Sequence, residues 1–134
     1  MISARKRLYA TDPVTLGEHL KKRRFELGLL QKQASEYLGA GDWTLINWEK
    51  NRTTPPIRFW PKIIDFLGYD PYRPPRSSGE RIKAIRRNLG LSVKRLASLI
   101  NVDESTVTRW ERNLSEPCSD HWKRIAELID NFCS

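Results

Sequence analysis

The chain has 134 residues, with 24 Lys and Arg against 16 Asp and Glu, which gives a formal net charge of +8. This length accommodates one ordinary domain or two very small ones. The basic charge favours a polyanionic partner, although many basic proteins bind no nucleic acid. No apolar run in the sequence has the length of a secretory or membrane-spanning segment, so we expect a cytoplasmic protein with no membrane association.

Histidine and cysteine are too few and too scattered for the common catalytic and metal-binding patterns. His19 and His121 are isolated, and Cys118 and Cys133 lie in one predicted C-terminal helical region without a histidine cluster. We interpret both cysteines as reduced thiols. No glycine-rich phosphate loop follows a predicted strand. The sequence therefore predicts no enzyme activity, no metal site and no small-molecule cofactor.

The sequence matches itself without a gap at an offset of 62 residues. The triplet Leu27-Gly28-Leu29 recurs as Leu89-Gly90-Leu91, and Trp48-Glu49 recurs as Trp110-Glu111. Further matched pairs are Gly17 and Gly79, Arg24 and Arg86, Lys32 and Lys94, Thr44 and Thr106, Asn51 and Asn113, Pro55 and Pro117, Trp60 and Trp122, and Ile63 and Ile125. Self-similarity at a fixed period indicates a repeated folding unit.

We predict four segments from this repeat. Residues 1–15 form a basic N-terminal arm, 16–68 a first domain (module 1), 69–78 a linker, and 79–134 a second domain (module 2). The prolines of the linker remove backbone donors and favour an extended, polyproline-like path. At about 3.1 Å per residue, such a linker reaches about 30 Å.

Each module is predicted to be all-α, with four or five short helices, because apolar residues recur at three- and four-residue spacing and none of its segments alternates with strand period. In module 1 the helices are marked by Leu16, Leu20 and Leu27, by Ala34 and Leu38, by Leu45 and Trp48, and by Ile63, Ile64 and Leu67. In module 2 they are marked by Ile82, Ile85 and Leu89, by Leu96 and Ile100, by Val107 and Trp110, and by Ile125, Leu128 and Ile129.

A tight turn separates the second and third predicted helices of each module. Two helices that meet at such a turn need a small residue at their contact, and Ser35 and Ala97 supply it. Four positions later the chain needs a residue that adopts positive φ. Gly39 and Asn101 are the residue types that do so most easily.

The third helix of each module begins just after this turn. Asp103 occupies the N-cap position, where its carboxylate is expected to accept hydrogen bonds from the free backbone amides. Gly41 is the weaker counterpart in module 1.

Both modules resemble the Xre or lambda-repressor-like family of helix-turn-helix proteins. The resemblance rests on residues 27–39 and 47–51, and on 89–92 and 109–113. It implies two compact helical domains whose third helices enter the major groove of double-stranded DNA. It also implies a transcriptional regulator, with repression as the expected outcome, located at the prokaryotic nucleoid as a monomer or homodimer. Module 1 departs from the family pattern at Ala34, Ser35 and Gly41-Asp42-Trp43.

The resemblance assigns base reading to exposed residues of the third helix. These are Asp42, Trp43, Thr44 and Asn47 in module 1, and Glu104, Ser105, Thr106, Thr108 and Arg109 in module 2. Arginine pairs with guanine, asparagine pairs with adenine, and a carboxylate accepts from cytosine N4. Asp42 and Glu104 have an alternative explanation, because carboxylates also stabilise a helix N-terminus. Trp43 fits a contact with thymine methyl or sugar, or equally a protein interface.

Phosphate contacts are expected from helix N-termini and from the loop after the third helix. The candidates are Gln31, Lys50, Asn51, Arg52, Ser92, Arg112 and Asn113, with Lys32 and Lys94 less favoured. The basic residues Arg5-Lys6-Arg7 resemble the arms that some helix-turn-helix proteins lay along a groove. A solubilising tail explains them equally well.

The family resemblance also predicts two structural salt bridges between the first and third helices. The pairs are Arg24 with Glu49, and Arg86 with Glu111. Trp48 and Trp110 lie three positions after Leu45 and Val107, so we predict that they are core residues rather than stacking platforms for bases.

One alternative function stays open at this point. A protein-interaction regulator, either antitoxin-like or an anti-activator, would use one or both modules to bind a protein partner. The exposed position of Trp43 and the weak cap of module 1 favour it. If both modules bind DNA instead, one chain reads two unlike half-sites, because its two third helices differ in sequence.

Overall fold

The computed structural model describes residues 12–133, apart from the side chain of Cys133. Within these residues module 1 contains α1 (Leu16–Glu26), α2 (Gln31–Leu38), α3 (Asp42–Glu49), a short 3-10 helix (Ile57–Phe59) and α4 (Trp60–Leu67). Module 2 contains α5 (Ser78–Leu89), α6 (Val93–Ile100), α7 (Glu104–Glu111) and α8 (Ser119–Cys133). The predicted all-α class is confirmed, and no described residue lies in a strand. The predicted arm at Arg5-Lys6-Arg7 falls outside the described residues.

The chain divides into two compact units between Tyr72 and Arg73, inside the predicted linker. Each unit has its own hydrophobic core. The first consists of Leu20, Ala34, Leu38, Leu45, Trp48, Trp60, Ile63, Phe66 and Leu67, and the second of Ile82, Leu91, Leu96, Ala97, Ile100, Val107, Trp110 and Ile125. None of the helices in the described part of the chain combines the length and the hydropathy needed to cross a membrane.

The two cores are built largely from the apolar residues whose spacing predicts the helices. Leu20 and Ile82 are completely buried on the first helix of each module, and burying such a side chain contributes about 1.5–3 kcal/mol. Trp48 and Trp110 are each 2% exposed, so the prediction that they are core residues is confirmed. One marker was placed wrongly: α1 ends at Glu26, and Leu27 is its C-cap residue with 45% of its surface exposed.

The first helix of each module begins at a hydroxyl side chain. Thr15 Oγ1 accepts from the amide of Glu18 at 3.1 Å, and the Glu18 carboxylate accepts from the amide of Thr15 at 3.0 Å. In module 2 Ser77 Oγ accepts from the amide of Glu80 at 3.2 Å. These bonds satisfy amides that have no partner within the helix, and they fix where each module starts.

Residues at both ends of the predicted linker make contacts within their own unit. The Tyr69 hydroxyl lies 2.7 Å from His19 Nδ1, and the Tyr72 ring lies 5.6 Å from the ring of Trp60. On the other side, the side chain of Arg73 donates to Glu80 at 3.1 Å. A reach of about 30 Å for a fully extended linker is therefore an upper bound.

Candidate nucleic-acid interface

The turn between the second and third helices has the predicted backbone in both modules. Gly39 has φ 73° and Asn101 has φ 59°, and each is the C-cap residue of the preceding helix. Ser35 and Ala97 are 1% and 2% exposed, as expected for small residues at a helix contact. In both modules this tight turn therefore ends α2 or α6 and leads directly into the next helix.

The helices that follow begin at the predicted N-cap residues, but the predicted capping bond is absent. Asp103 makes no side-chain hydrogen bond to its helix, and Gly41 has no side chain with which to make one. The expectation for the Asp103 carboxylate was wrong, because the Thr106 amide donates to the main-chain carbonyl of Asp103 at 3.0 Å instead.

Asp42, the first residue of α3, makes a side-chain hydrogen bond that its counterpart in module 2 lacks. Ser35 Oγ lies 2.6 Å from Asp42 Oδ1 and 2.8 Å from the carbonyl of Lys32. The matching positions in module 2 are Ala97 and Glu104, and alanine has no hydroxyl to offer. One oxygen of Asp42 is thus engaged inside the module, which the sequence reasoning missed.

The exposed faces of α3 and α7 contain the predicted base-reading residues. Asp42, Trp43, Glu104, Ser105 and Arg109 are exposed, and Thr44, Asn47, Thr106 and Thr108 are half-buried. Helical spacing then shows which of them lie side by side, because residues at i, i+3, i+4 and i+7 share one face of a helix. In α3 and the residue after it this face is Trp43, Ile46, Asn47 and Lys50, and the matching face of module 2 is Ser105, Thr108, Arg109 and Arg112.

Ile46 was not among the predicted site residues. From the sequence alone, its apolar side chain looks like those of the core residues Leu45 and Trp48, which lie one position before it and two positions after it. The exposed or half-buried state of its helical neighbours Trp43 and Asn47 gives the signal that places Ile46 on the outer face.

Both predicted salt bridges form, and both join the first helix of a module to the end of its third helix. Arg24 Nε lies 2.7 Å from Glu49 Oε2, and Arg86 Nε lies 2.5 Å from Glu111 Oε2. A second nitrogen of each guanidinium donates to the other carboxylate oxygen at 3.0 Å, so both pairs are bidentate. Each arginine also donates to a main-chain carbonyl, that of Leu29 or Leu91.

A second repeated contact lies beside these salt bridges. Asn51 and Asn113 each follow the third helix with φ 59°, and their Oδ1 atoms accept hydrogen bonds from the amides of Gly17 at 3.1 Å and Gly79 at 2.9 Å. A Cβ atom on Gly17 would lie 2.4 Å from the carbonyl oxygen of Trp48. Only glycine permits this approach. The recurrence of both residues in the repeat was the available signal.

The predicted phosphate contacts divide into two groups. The side chains of Gln31, Asn51, Ser92 and Asn113 make hydrogen bonds within the protein, whereas Lys50, Arg52 and Arg112 are exposed at the end of the third helix. Gln31 donates to the Glu49 carboxylate at 3.2 Å, and Ser92 caps α6 by accepting from the Arg95 amide at 3.0 Å. The second group is therefore the better placed to meet a phosphate.

The sequence model of the helix-turn-helix family matches this chain twice, at residues 20–73 and 82–130. Those two stretches together cover well over half of the chain. The chain belongs to this family, in its Xre or lambda-repressor-like form. The tandem helix-turn-helix protein is accordingly a DNA-binding regulator of a family that is generally non-enzymatic. No curated protein and no solved structure matches the chain significantly.

Proposed function

We propose that this tandem helix-turn-helix protein is a sequence-specific, cytoplasmic repressor that reads the major groove of double-stranded DNA with α3 and α7. The observation that best supports the proposal is the outer face of module 2. Arg109 and Arg112 are exposed there, and within the described residues neither guanidinium group takes part in a side-chain hydrogen bond or ion pair. Arginine in that state is the side chain best suited to guanine and to phosphate.

The residues that hold α7 in place are different from those that face outward. Trp110 and Val107 are buried, and Glu111 is paired with Arg86. Because these contacts fix α7 on its buried side, Arg109 can be presented to a base without local refolding. Such preorganisation lowers the entropy lost on binding.

The two modules have different outer faces, so we propose that one chain recognises an asymmetric site. One turn of DNA spans about 34 Å, and half-sites about 10 base pairs apart lie in successive major grooves on one face. Tethering two weak readers raises their combined affinity by about 10²- to 10⁴-fold when both engage at once. Repression then needs only occupancy, because a protein bound across a promoter excludes polymerase.

Selection of bound fragments from random duplex DNA by the full-length protein tests this proposal. We expect two unlike half-sites at a fixed spacing. Arg109→Ala should cost about 1–3 kcal/mol at one guanine, and Asn47→Ala a similar amount at one adenine in the other half-site. Lys123→Ala is the control, because it removes an exposed positive charge from α8, which is not one of the two proposed recognition helices.

Binding should also weaken steeply with salt. Each phosphate neutralised contributes a slope of about −0.9 in a plot of log affinity against log salt concentration. Recovery of no enriched sequence, or an affinity independent of salt, would contradict DNA recognition.

A second candidate function is supported by module 1. Trp43 is 66% exposed and Leu30 is 70% exposed, whereas the matching residues of module 2 are Ser105 and Ser92. Exposed apolar side chains of this size are typical of protein interfaces. Under this alternative module 1 binds a protein while module 2 holds the chain on DNA, and the selection would recover one half-site only.

A further inference from the structure

The outer face of α3 has a chemistry unlike that of α7. At the four matching positions, module 1 has Trp43, Ile46, Asn47 and Lys50, and module 2 has Ser105, Thr108, Arg109 and Arg112. An apolar pair replaces two hydroxyl residues, and an amide replaces a guanidinium. The indole of Trp43 is 66% exposed in this structure, although burial of such a large ring is favourable.

We propose that Trp43 and Ile46 read the C5-methyl groups of thymine, so that the half-site of module 1 is specified by thymine and that of module 2 by guanine. This inference rests on the proposed function, since it assumes that α3 enters the major groove. The methyl group of thymine is the apolar feature that a base pair presents in that groove. Trp43 and Ile46 are three residues apart and therefore adjacent on the helix surface.

The surroundings of the pair favour duplex DNA over a protein as its occupant. Lys50 and Arg52 are exposed just after the end of the same helix, and such positive charges are suited to phosphates beside a groove. Asn47, one position after Ile46, has the donor and acceptor that adenine requires at N7 and N6. The face therefore combines an adenine reader, two methyl readers and flanking positive charge.

Asp42 has one of its two carboxylate oxygens engaged within the module. Its Oδ1 is held 2.6 Å from Ser35 Oγ. A carboxylate directed into the groove would select cytosine N4 and repel phosphates. The bond to Ser35 occupies one of the two oxygens that could do so, and the apolar pair and Asn47 make up the rest of the outer face of α3.

Replacing thymine by uracil removes only the C5-methyl group and leaves the base-pairing edge intact. Burial of one such group is worth about 0.8 kcal/mol, which corresponds to a three- to five-fold change in affinity. Because no charge is involved, the slope of affinity against salt concentration should not change.

The experiment uses the full-length protein and the duplex recovered by selection, synthesised with single deoxyuridine substitutions in each half-site. We expect a three- to five-fold loss for each contacted thymine in the half-site of module 1. At the thymine that Trp43 contacts, the same substitution should have no effect on the Trp43→Ala variant, whose own affinity is reduced at an unchanged salt slope, while the thymine that Ile46 contacts should stay sensitive. Ser105→Ala is the matched control at the equivalent position of module 2, and it should retain the full sensitivity to uracil. Circular dichroism confirms that Trp43→Ala is folded, as expected for an exposed side chain.

The outcomes distinguish the inference from the function on which it rests. A two-part site in which uracil has no effect, or in which Trp43→Ala stays sensitive to uracil at every thymine of the module 1 half-site, overturns the inference and leaves DNA recognition standing. Recovery of the guanine-containing half-site alone overturns it in favour of a protein partner for module 1. Recovery of no sequence at all overturns both.

Discussion

Modules 1 and 2 share the residues that hold the third helix and differ in those that face away from the core. The bidentate arginine–glutamate pair and the glycine–asparagine contact occur in both at matching positions. The outer face changes from Trp43 and Asn47 to Ser105 and Arg109. The comparison teaches that one helical frame can present two unlike surfaces, because the frame depends on a few buried contacts only.

Breaking the shared salt bridge should have the largest effect, and module 1 should be the more sensitive. The side chains of Arg24 and Glu49 are 9% and 3% exposed, against 16% and 9% for Arg86 and Glu111. Removing one partner of a buried pair leaves an uncompensated charge, at a cost of about 3–5 kcal/mol. We expect Arg24→Met to reach that range and Arg86→Met to fall below it.

Urea denaturation followed by tryptophan fluorescence measures both variants. Lys32→Ala is the control, because Lys32 is exposed, and it should change stability by less than about 0.5 kcal/mol. Equal losses for the two arginine variants would show that burial does not distinguish the modules.

A methyl group on the shared glycine should have the next largest effect. A Cβ atom would lie 2.4 Å from the Trp48 carbonyl oxygen in Gly17→Ala and 2.6 Å from that of Glu111 in Gly79→Ala. Backbone atoms cannot move aside as a flexible side chain does, so we expect a loss of about 1–3 kcal/mol, larger at Gly17. Alanine otherwise favours helices by up to about 1 kcal/mol over glycine. A stabilised variant in the same denaturation experiment would therefore disprove the close contact.

The hydrogen bond found only in module 1 offers a smaller and more specific test. Ser35→Ala should cost about 1 kcal/mol, because it removes the hydroxyl that binds Asp42. The reciprocal experiment transplants the pair into module 2. Ala97→Ser should destabilise that module, and the double variant with Glu104→Asp should recover part of the loss. Additivity of the two changes in a double-mutant cycle would show that no bond has formed.

The smallest expected effect is a pH dependence at the His19–Tyr69 contact of module 1. Burial lowers the pKa of His19, and nearby Lys22 lowers it further. The unfolded chain therefore binds a proton more readily than the folded chain does, so stability falls as the pH decreases below about 6.5. Urea midpoints at pH 7.5 and 5.5 should differ for the wild type and differ less for His19→Gln. An identical shift in both proteins would assign the dependence to another group.

The sequence predicts the helices and their buried contacts better than the arrangement of the exposed side chains. The repeat, the apolar spacing and the residue types at Gly39 and Asn101 were sufficient for the helices and the turn, and the family resemblance added the two salt bridges. These features depend on local propensity and on core burial, which leave a periodic trace. The Ser35–Asp42 bond leaves none, because it depends on where one side chain points after the helices have packed. Ile46 did leave a trace, since it lies three residues after Trp43 and shares a helix face with it.

The central claim is that the third helices enter the major groove, and α7 is the one whose half-site is expected to contain guanine. Methylation interference with dimethyl sulfate tests it most directly, because the reagent modifies guanine N7 in the major groove and adenine N3 in the minor groove. With the full-length protein on its selected site, we predict interference from guanine N7, strongest in the half-site of module 2 and abolished at one position by Arg109→Ala. Interference from adenine N3 alone, or from neither atom, would contradict the account.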